Sequence, residues 1–446
     1  MDQPPDEQRS LVHPLQHHRV EPRRIRPQGR ASNLPTYESP LCGPGYTIRA
    51  GAPRDLEAMV ELTEEVFQDS FVRDVLLADP GFRFDDARLV FDAEGKLAST
   101  TFVIPREMRF EGVLLKLGGI GGVATDPLHR RKGYASAGLK DAIEHMVTQH
   151  YDLSFLYPFD PSYYARFGFG DLVLPFQVLE LDGVVERSNG YLLREFEPRD
   201  TDALEAIYDE FNRFRVGPFE RSSLYWRQYL AKNRPLHERL FVAELEDKVV
   251  AYMFLERIFH HWGEIDYKLK IGEVGSLDGH ADALLSLCER AAGHAQGAGF
   301  ERLYFDPVTD FHVPGAREPS EADIADYNNV KYRKMVRVVD LTSLLCKITP
   351  VWNARLESSG RKECWQDVFS LRRDRRDSRD RFELTLIASG STLRADDEAF
   401  VKLLLGFEPF EQIEVGGKDG LTDGEKDALA AVFPATRPVF WDFDYL

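Results

Sequence analysis

Val123-Ala124-Thr125-Asp126-Pro127-Leu128-His129-Arg130-Arg131-Lys132-Gly133-Tyr134-Ala135 joins an apolar, glycine-rich stretch from Leu114 to a helical pattern running to about Gln149. A strand therefore feeds a helix through a basic loop. Cations are electrostatically misplaced there, because the positive end of a helix dipole favours acids or a bound anion, and each cation forfeits roughly 0.3–1 kcal/mol. A bound anion removes the conflict, since the first N–H groups of a helix have no partner within it and can receive one. Gly133 lets a pyrophosphate approach the backbone closely, and Ala135 keeps the following turn small. Two alternatives stand beside this reading. Gly119-Ile120-Gly121-Gly122-Val123-Ala124 fits a dinucleotide fingerprint, although that fingerprint needs a helix to open among its glycines and Thr125-Asp126-Pro127 interrupts the chain. A solvated basic surface is the plainer alternative.

The loop resembles the acyl-CoA-binding motif of the GNAT acetyltransferases, Arg/Gln-x-x-Gly-x-Gly/Ala, here Arg130-x-x-Gly133-x-Ala135. Composition fits a soluble multidomain protein. The 446 residues suffice for two to four domains, and a formal net charge of −18 argues against nucleic acid as a partner. Cys42, Cys288, Cys346 and Cys364 are widely spaced and form no ligand cluster, so a reducing compartment and no metal are expected. His260 and His261 have no third ligand at a metal-like spacing. No apolar run approaches the roughly 18 residues of a membrane span, and a cytoplasmic location is expected. Residues 1–44, rich in Pro, Arg, His and Gln, read as a disordered tail.

An internal repeat organises the rest. Tyr46 to Ala58, with Arg49 and Pro53-Arg54-Asp55, recurs as Tyr191 to Ala203, with Arg194 and Pro198-Arg199-Asp200, at an offset of 191 − 46 = 145. The hairpin Val90 to Phe102 is echoed by Val242 to Phe254, and Leu115-Lys116-Leu117-Gly118 by Leu269-Lys270-Ile271-Gly272. Strand, helix, hairpin and long strand occur twice in the same order, which indicates two similar domains and not a solenoid of short repeats. The copies part at the anion site: the second offers Leu277-Asp278-Gly279-His280-Ala281-Asp282, with acids in place of Arg130, Arg131 and Lys132. Beyond Leu341 a third unit contains a strand over Phe382 to Ala388, a helix over Asp396 to Gly406 and a last helix from about Asp423 to Val432. It leads to an aromatic end, Val439-Phe440-Trp441-Asp442-Phe443-Asp444-Tyr445-Leu446, of a kind that chain ends carry when something docks them.

Residues 46–446 as a whole resemble the enhanced-intracellular-survival acetyltransferases, and Tyr163-Tyr164-Ala165-Arg166-Phe167-Gly168-Phe169-Gly170 resembles their signature after the fifth strand, here about Leu153 to Tyr157. The resemblance implies an α+β fold of tandem GNAT domains followed by a sterol-carrier-protein-like domain, with limits at 45–185, 186–340 and 341–446. It implies Tyr164 as general acid and the C-terminal carboxylate of Leu446 as general base. Acetyl-CoA, the co-substrate, would lie along Val123, Ala124 and Thr125, the turn Arg130, Arg131, Lys132, Gly133, Tyr134, Ala135 and Ser136, and Phe159 with Asp160. The acceptor would be a small-molecule or peptide primary amine, and the protein a homo-oligomer, often a hexamer in that family. The chain departs from the family in ending on Leu where phenylalanine is common.

Chemistry gives these parts their roles. A tetrahedral oxyanion needs waiting donors, which the strand about Gly119 to Thr125 supplies if it bulges from its neighbour. A departing thiolate leaves more readily when protonated, and a tyrosine with a reference pKa near 10 holds a proton to give. An alkylammonium near 10.4 must lose one, which an ionised α-carboxylate can accept. Asp444 would add negative charge to the acceptor pocket, while Arg166 is expected to serve as an ion-pair partner. The rival from another class is a scaffold, with little turnover, that binds a lipid or a partner protein. Against it stand the intact Arg130, Gly133 and Ala135.

Overall fold

In the computed structural model the described residues are 45–67, 79–184, 189–229, 237–259, 267–306, 311–328, 333–374 and 381–441, together with Arg73, Leu76, Leu77 and Arg187. The expected tail 1–44, Cys42, His260, His261, Asp444 and Leu446 lie outside them.

Each copy begins with the same device. In the first, β1 (Tyr46–Ala50) leads through Pro53-Arg54-Asp55 into α1 (Leu56–Phe67). Arg49 grips Asp55 with two hydrogen bonds of 2.7 and 2.8 Å, and the Asp55 carboxylate also accepts from Ala52 N at 2.8 Å. The guanidinium of Arg49 draws the Asp55 carboxyl below its usual range against the opposing effect of burial, which is the largest single influence on it. The second copy repeats the motif with Arg194 on Asp200. Proline presets the turn where an N–H would be unsatisfied anyway, so the repeat in sequence is a repeat of a helix start.

Three antiparallel strands follow in the first copy, β2 (Ala87–Asp92), β3 (Leu97–Phe110) and β4 (Val113–Thr125), and then α2 (Tyr134–Thr148) and β5 (Leu153–Leu156). The short α3 (Pro161–Ala165) leads to β6 (Gly170–Leu172) and β7 (Gln177–Glu180). The second copy runs β8 (Leu192–Glu195), α4 (Thr201–Asn212), β9 (Val216–Phe219), β10 (His237–Leu245), β11 (Lys248–Phe259), β12 (Tyr267–Ser276), α5 (Ala281–Gly297), β13 (Arg302–Phe305), α6 (Glu321–Asn328) and β14 (Lys334–Val338).

The sheets are ordered β1-β2-β3-β4-β5-β14-β6 and β8-β10-β11-β12-β13-β7, and β9 pairs with β3. Strand pairing thus departs from the linear division at 185 and 340. β7 leaves the first copy to pair antiparallel with β13, and β14 leaves the second to lie between β5 and β6. The two copies exchange strands. Sequence periodicity tells that a segment is a strand but not which strand it joins, so this exchange is invisible to it.

The third unit has α7 (Leu341–Ser358), α8 (Trp365–Val368), a sheet of β15 (Phe369–Asp374), β16 (Arg381–Leu386) and β17 (Thr392–Asp396), α9 (Asp397–Leu405) and α10 (Asp423–Val432). Its interior is filled by rings: Trp352 contacts Trp365, Phe369 and Phe433, and Phe382 stacks on Phe400 at 3.9 Å. One apolar core runs from these side chains into Leu117, Leu153, Phe155 and Val336 of the first sheet.

Among the described residues no helix is long and apolar enough to cross a membrane, and no group of three or more His, Cys, Asp or Glu could hold a metal.

Candidate active site

β4 and β5 run parallel only from Leu117 opposite Leu153 to Ile120 opposite Leu156. Beyond that pair β5 ends, whereas β4 continues to Thr125. The sheet therefore opens like a V, leaving the β5-facing edge of Gly121 to Thr125 without a strand among the described residues. At the same place β4 bulges away from β3: Thr100 faces Ala124 and Phe102 faces Gly121, so Gly122 and Val123 together oppose Thr101. Gly122 has φ +54°, and a Cβ there would run into the ring of Phe102. Only glycine fits such a bulge. Thr100 Oγ1 donates to Gly122 O and Ser99 Oγ to Ala124 O, both at 2.7 Å, so the strand's carbonyls are tied down on the β3 side. Thr125 Oγ1 lies 2.9 Å from Ser99 Oγ. The expected bulge thus exists, with a named geometry.

The segment after β4 is latched before it reaches the helix. Asp126 accepts from Leu128 N at 2.8 Å and from Lys96 Nζ at 2.6 Å, and His129 Nε2 sits 3.0 Å from Asp92 Oδ2. The Lys96 hydrogen bond holds the Asp126 carboxyl below its usual range and raises the Lys96 ammonium in return. His129 therefore faces inward to the β2–β3 turn, whereas Arg130, Arg131, Lys132 and Gly133 are exposed. Arg131 (φ +62°) and Gly133 (φ +89°) both turn through the left-handed region, and a Cβ on Gly133 would meet nothing within 4 Å.

Helix α2 then opens on Gly133 with no side-chain cap and no acid in its first turn. By contrast, α7, α9 and α10 are capped by Asp340, Asp396 and Thr422. The uncapped end leaves N–H groups and a positive dipole terminus directed at the basic loop. Tyr134, Ala135 and Ser136 are half-buried, and Ser136 Oγ lies 3.3 Å from Tyr163 OH. The helix is itself fastened to β2 by buried Arg88 facing Asp141 and, one turn on, to Asp86 by His145 at 2.7 Å.

Across the V, Asp160 caps α3 by accepting from Ser162 N, Tyr163 N and Ser162 Oγ, and the Ser162 hydroxyl in particular draws its carboxyl below the usual range. Tyr164, 3% exposed, packs in one cluster with Ile120 and Leu156, the last paired residues before the strands part. Its ring is held edge-on by Phe159 (5.4 Å), Tyr163 (5.1 Å) and Phe169 (6.2 Å). Burial pushes its phenol well above the ordinary range, with Tyr163 and Asp160 adding to the shift. Among the described residues its hydroxyl takes no hydrogen-bond partner. Phe159, 62% exposed, lies at the mouth. Arg166, expected as an ion-pair partner, instead stacks on Tyr163 at 4.8 Å and donates to Tyr163 O; no carboxylate is close enough to claim it among the described residues.

The structure thus packs Val123 and Tyr163 against the cluster that holds Tyr164, sets Ser136 against Tyr163 OH and Phe159 against both tyrosines, and joins the exposed turn Arg130 to Gly133 to them through the start of α2. Leu446 lies outside the described residues, but the chain leading to it is docked: Val439, Phe440 and Trp441 are each no more than 6% exposed. Sequence reading missed the latch formed by Asp92, Lys96, Asp126 and His129, although the spacing of a hairpin turn from a loop 30 residues on gives no local signal.

The second copy carries a buried ionic cluster at the corresponding place. Glu273 occupies the position of Gly119 (269 − 115 = 154 and 273 − 119 = 154). It takes a bidentate ion pair from Arg221 at 2.9 and 2.7 Å and a hydrogen bond from Tyr252 OH at 2.7 Å, with both ionic side chains at most 1% exposed. Its helix start is occupied as well: α5 carries Asp282 in its first turn, which accepts from Tyr191 OH at 2.7 Å.

Residues 47–171 match the acetyltransferase (GNAT) domain family. No curated protein matches the chain by sequence. Solved structures share its fold. A GCN5-related N-acetyltransferase from Anabaena variabilis superposes with a TM-score of 0.62 at 15% identity, covering 90% of this chain and 100% of its own. A conserved protein of unknown function and probable N-acyltransferase from Enterococcus faecalis gives 0.58 at 16%, covering 89% and 97%. Eis1 from Mycobacterium abscessus gives 0.55 at 13%, covering 90% and 100%. Such identities are a likeness of fold. The chain thus has a mixed α/β fold with GNAT acyltransferases among its structural neighbours, and carries an acetyltransferase (GNAT) domain over residues 47–171.

Proposed function

We propose that the chain is an acetyl-CoA-dependent N-acetyltransferase that transfers the acetyl group to a primary amine by direct attack in a ternary complex. The observation that carries this reading is the V between β4 and β5, bulged on one side and faced on the other by a buried tyrosine whose hydroxyl takes no hydrogen-bond partner among the described residues. The pyrophosphate would lie on the open start of α2, with Gly133 and the turn Arg130 to Ser136 around it. The pantetheine arm would run along Val123, Ala124 and Thr125 toward the opening, past Phe159 and Asp160.

The amine lone pair attacks the thioester carbonyl and forms the C–N bond. Backbone N–H groups of the bulged strand receive the oxyanion. As the C–S bond breaks, Tyr164 gives its proton to the sulfur, and the proton of the attacking amine passes to the Leu446 carboxylate directly or through water. Burial that raises the Tyr164 phenol favours its neutral form, as an acid working at neutral pH requires. The remaining sequence expectations belong to the same proposal: tandem GNAT domains over 45–185 and 186–340, the second without a cofactor site, a sterol-carrier-protein-like domain over 341–446, and a cytoplasmic homo-oligomer.

Calorimetry with acetyl-CoA, followed by CoA release across a panel of primary amines, tests it. Binding with release for at least one amine is expected. Absence of binding at millimolar acetyl-CoA would sink the enzyme reading, and binding without turnover would favour a scaffold.

A further inference from the structure

The basic turn is held at its base. Between His129 and Tyr134 the residues Arg130 to Gly133 loop out into solvent, and Arg131 and Gly133 take left-handed φ there. Among the described residues the side chains of Arg130, Arg131 and Lys132 take no hydrogen bond or ion pair. The two ends of the turn meet: the His129 ring lies against the Tyr134 ring at 5.6 Å and 33°, and Tyr134 in turn meets Tyr46 of β1 edge-on at 5.5 Å. On the helix side Gly133 O accepts from Ala137 N at 2.9 Å. On the other side the His129 ring stands between two carboxylates. Its Nε2 is 3.0 Å from Asp92 Oδ2 and its Nδ1 3.6 Å from Asp126 Oδ2, and none of the three side chains is more than 12% exposed. Both acids are fixed in their turn. Asp92 Oδ1 accepts from Glu94 N at 3.1 Å and Lys96 N at 2.8 Å, while Asp126 takes Leu128 N and the Lys96 ammonium.

A turn that contains left-handed residues and three cations keeps one shape only as far as its ends are fixed, because strain and the mutual repulsion of the cations both favour other shapes. An imidazole can direct one ring nitrogen at each of two acids at once, which no other side chain of its size does. We propose that His129 is a positioning residue for the cofactor. Set between Asp92 and Asp126 and resting on Tyr134, it holds the base of the turn Arg130 to Gly133 at the width a pyrophosphate needs, and so passes the order of the β2–β3 hairpin to the start of α2. Its part is in the shape of the turn and not in the transfer of the acetyl group. The inference rests on the assignment of acetyl-CoA to this turn, and its test separates the two. If the turn without His129 is competent for about a tenth of the time, acetyl-CoA binds about 10-fold more weakly.

His129→Ala, His129→Gln, Asp92→Asn and the combination of Asp92→Asn with His129→Ala are compared by calorimetry with acetyl-CoA and with S-acetylpantetheine, a ligand without phosphates, and by kcat at saturating acetyl-CoA. Asp92→Asn keeps an oxygen for the hairpin N–H groups and removes the anion opposite His129. His129→Ala is expected to raise the acetyl-CoA Kd about 10-fold, with the S-acetylpantetheine Kd and kcat within about twofold of the parent. His129→Gln, which retains a donor toward Asp92, is expected to recover part of the loss. Asp92→Asn is expected to weaken acetyl-CoA in the same selective way, and to add nothing to His129→Ala, because Asp92 acts on the turn through His129. An unchanged acetyl-CoA Kd in His129→Ala, an equal loss for both ligands, or losses that multiply in the combined variant overturn the positioning role and leave acetyl-CoA at the turn. Should His129→Ala not fold, Asp92→Asn reads the same contact, and an unchanged Kd there overturns the role. A parent that binds no acetyl-CoA at millimolar concentration removes the cofactor assignment, and this role of His129 with it.

Discussion

Replacing Gly133 by Ala separates the phosphate reading of the basic loop from a purely structural one. At φ +89° an L-residue is strained by about 1–2 kcal/mol, but an added Cβ meets no atom within 4 Å. The loss of stability is therefore conformational only. Gly279, ahead of α5 in the second copy, supplies the control, since it has φ +83° and nothing within 4 Å of its Cβ either. Both alanine variants should lose the same ~1–2 kcal/mol in urea unfolding. They should differ in binding. If the pyrophosphate approaches the backbone at Gly133, the methyl group costs a charge-assisted hydrogen bond worth about 1.5–3 kcal/mol, which is about 10- to 150-fold in Kd. Calorimetry should show this loss for acetyl-CoA in Gly133→Ala and none in Gly279→Ala. S-acetylpantetheine, which lacks the pyrophosphate, should bind both alike. An unchanged acetyl-CoA Kd in Gly133→Ala, or an equal loss in the two variants, refutes the assignment of the loop.

The raised phenol of Tyr164 fixes the sign of one pH effect: the acid is needed protonated, and it stays so beyond pH 10. Tyr164→Phe should lower kcat by roughly 10²–10⁴-fold with little change in acetyl-CoA Kd, and any alkaline limb owed to Tyr164 should lie above pH 10; a limb between pH 7 and 9 that disappears in Tyr164→Phe contradicts this. Glu273→Ala takes the bidentate carboxylate from the Arg221 guanidinium, 1% exposed as a side chain, and should destabilise the fold by up to about 3–5 kcal/mol in denaturant unfolding. Replacing both by apolar residues should cost less, and a single-variant loss under ~1 kcal/mol would show that water reaches the pair. A Cβ at Gly170 would lie 2.6 Å from Glu398 Cα on α9, so Gly170→Ala should lose about 1–3 kcal/mol by overpacking; an unchanged melting temperature would mean that the third unit does not press on the segment holding Tyr164.

Local features were legible because local physics dictates them. Asp423 to Val432 is a helix with the limits read from sequence, since Thr422 and Glu425 cap it reciprocally. The basic loop, the bulge and the divergence of the second copy followed from glycines and charges in one stretch. The glycine-rich run that also fitted a dinucleotide fingerprint lies within β4, where no helix opens. What sequence hid is long-range. Lys334 donates to Phe440 O, 106 residues away, and Arg221 to Glu273, 52 away, and neither pair has a periodicity to betray it. The signature glycines have a second reason as well: Gly168 turns through φ +76° where Arg337 reaches Phe167 O, and Gly170 admits α9.

Exchange of β7 and β14 also puts the making of the site on a clock. Among the described residues β6 pairs only with β14, and β14 ends 338 − 172 = 166 residues after β6. At a synthesis rate of about 5–20 residues per second, the ribosome needs roughly 8–33 s to deliver it. Until then β5 presents a bare edge beside the opening, of the kind that recruits foreign strands. The nascent first copy is thus unfinished while its sister is being made, and cutting the gene between them would yield a first half without β9 and β14 and a second half without β7. That dependence gives selection a reason to keep the second copy's fold whatever the second copy itself binds.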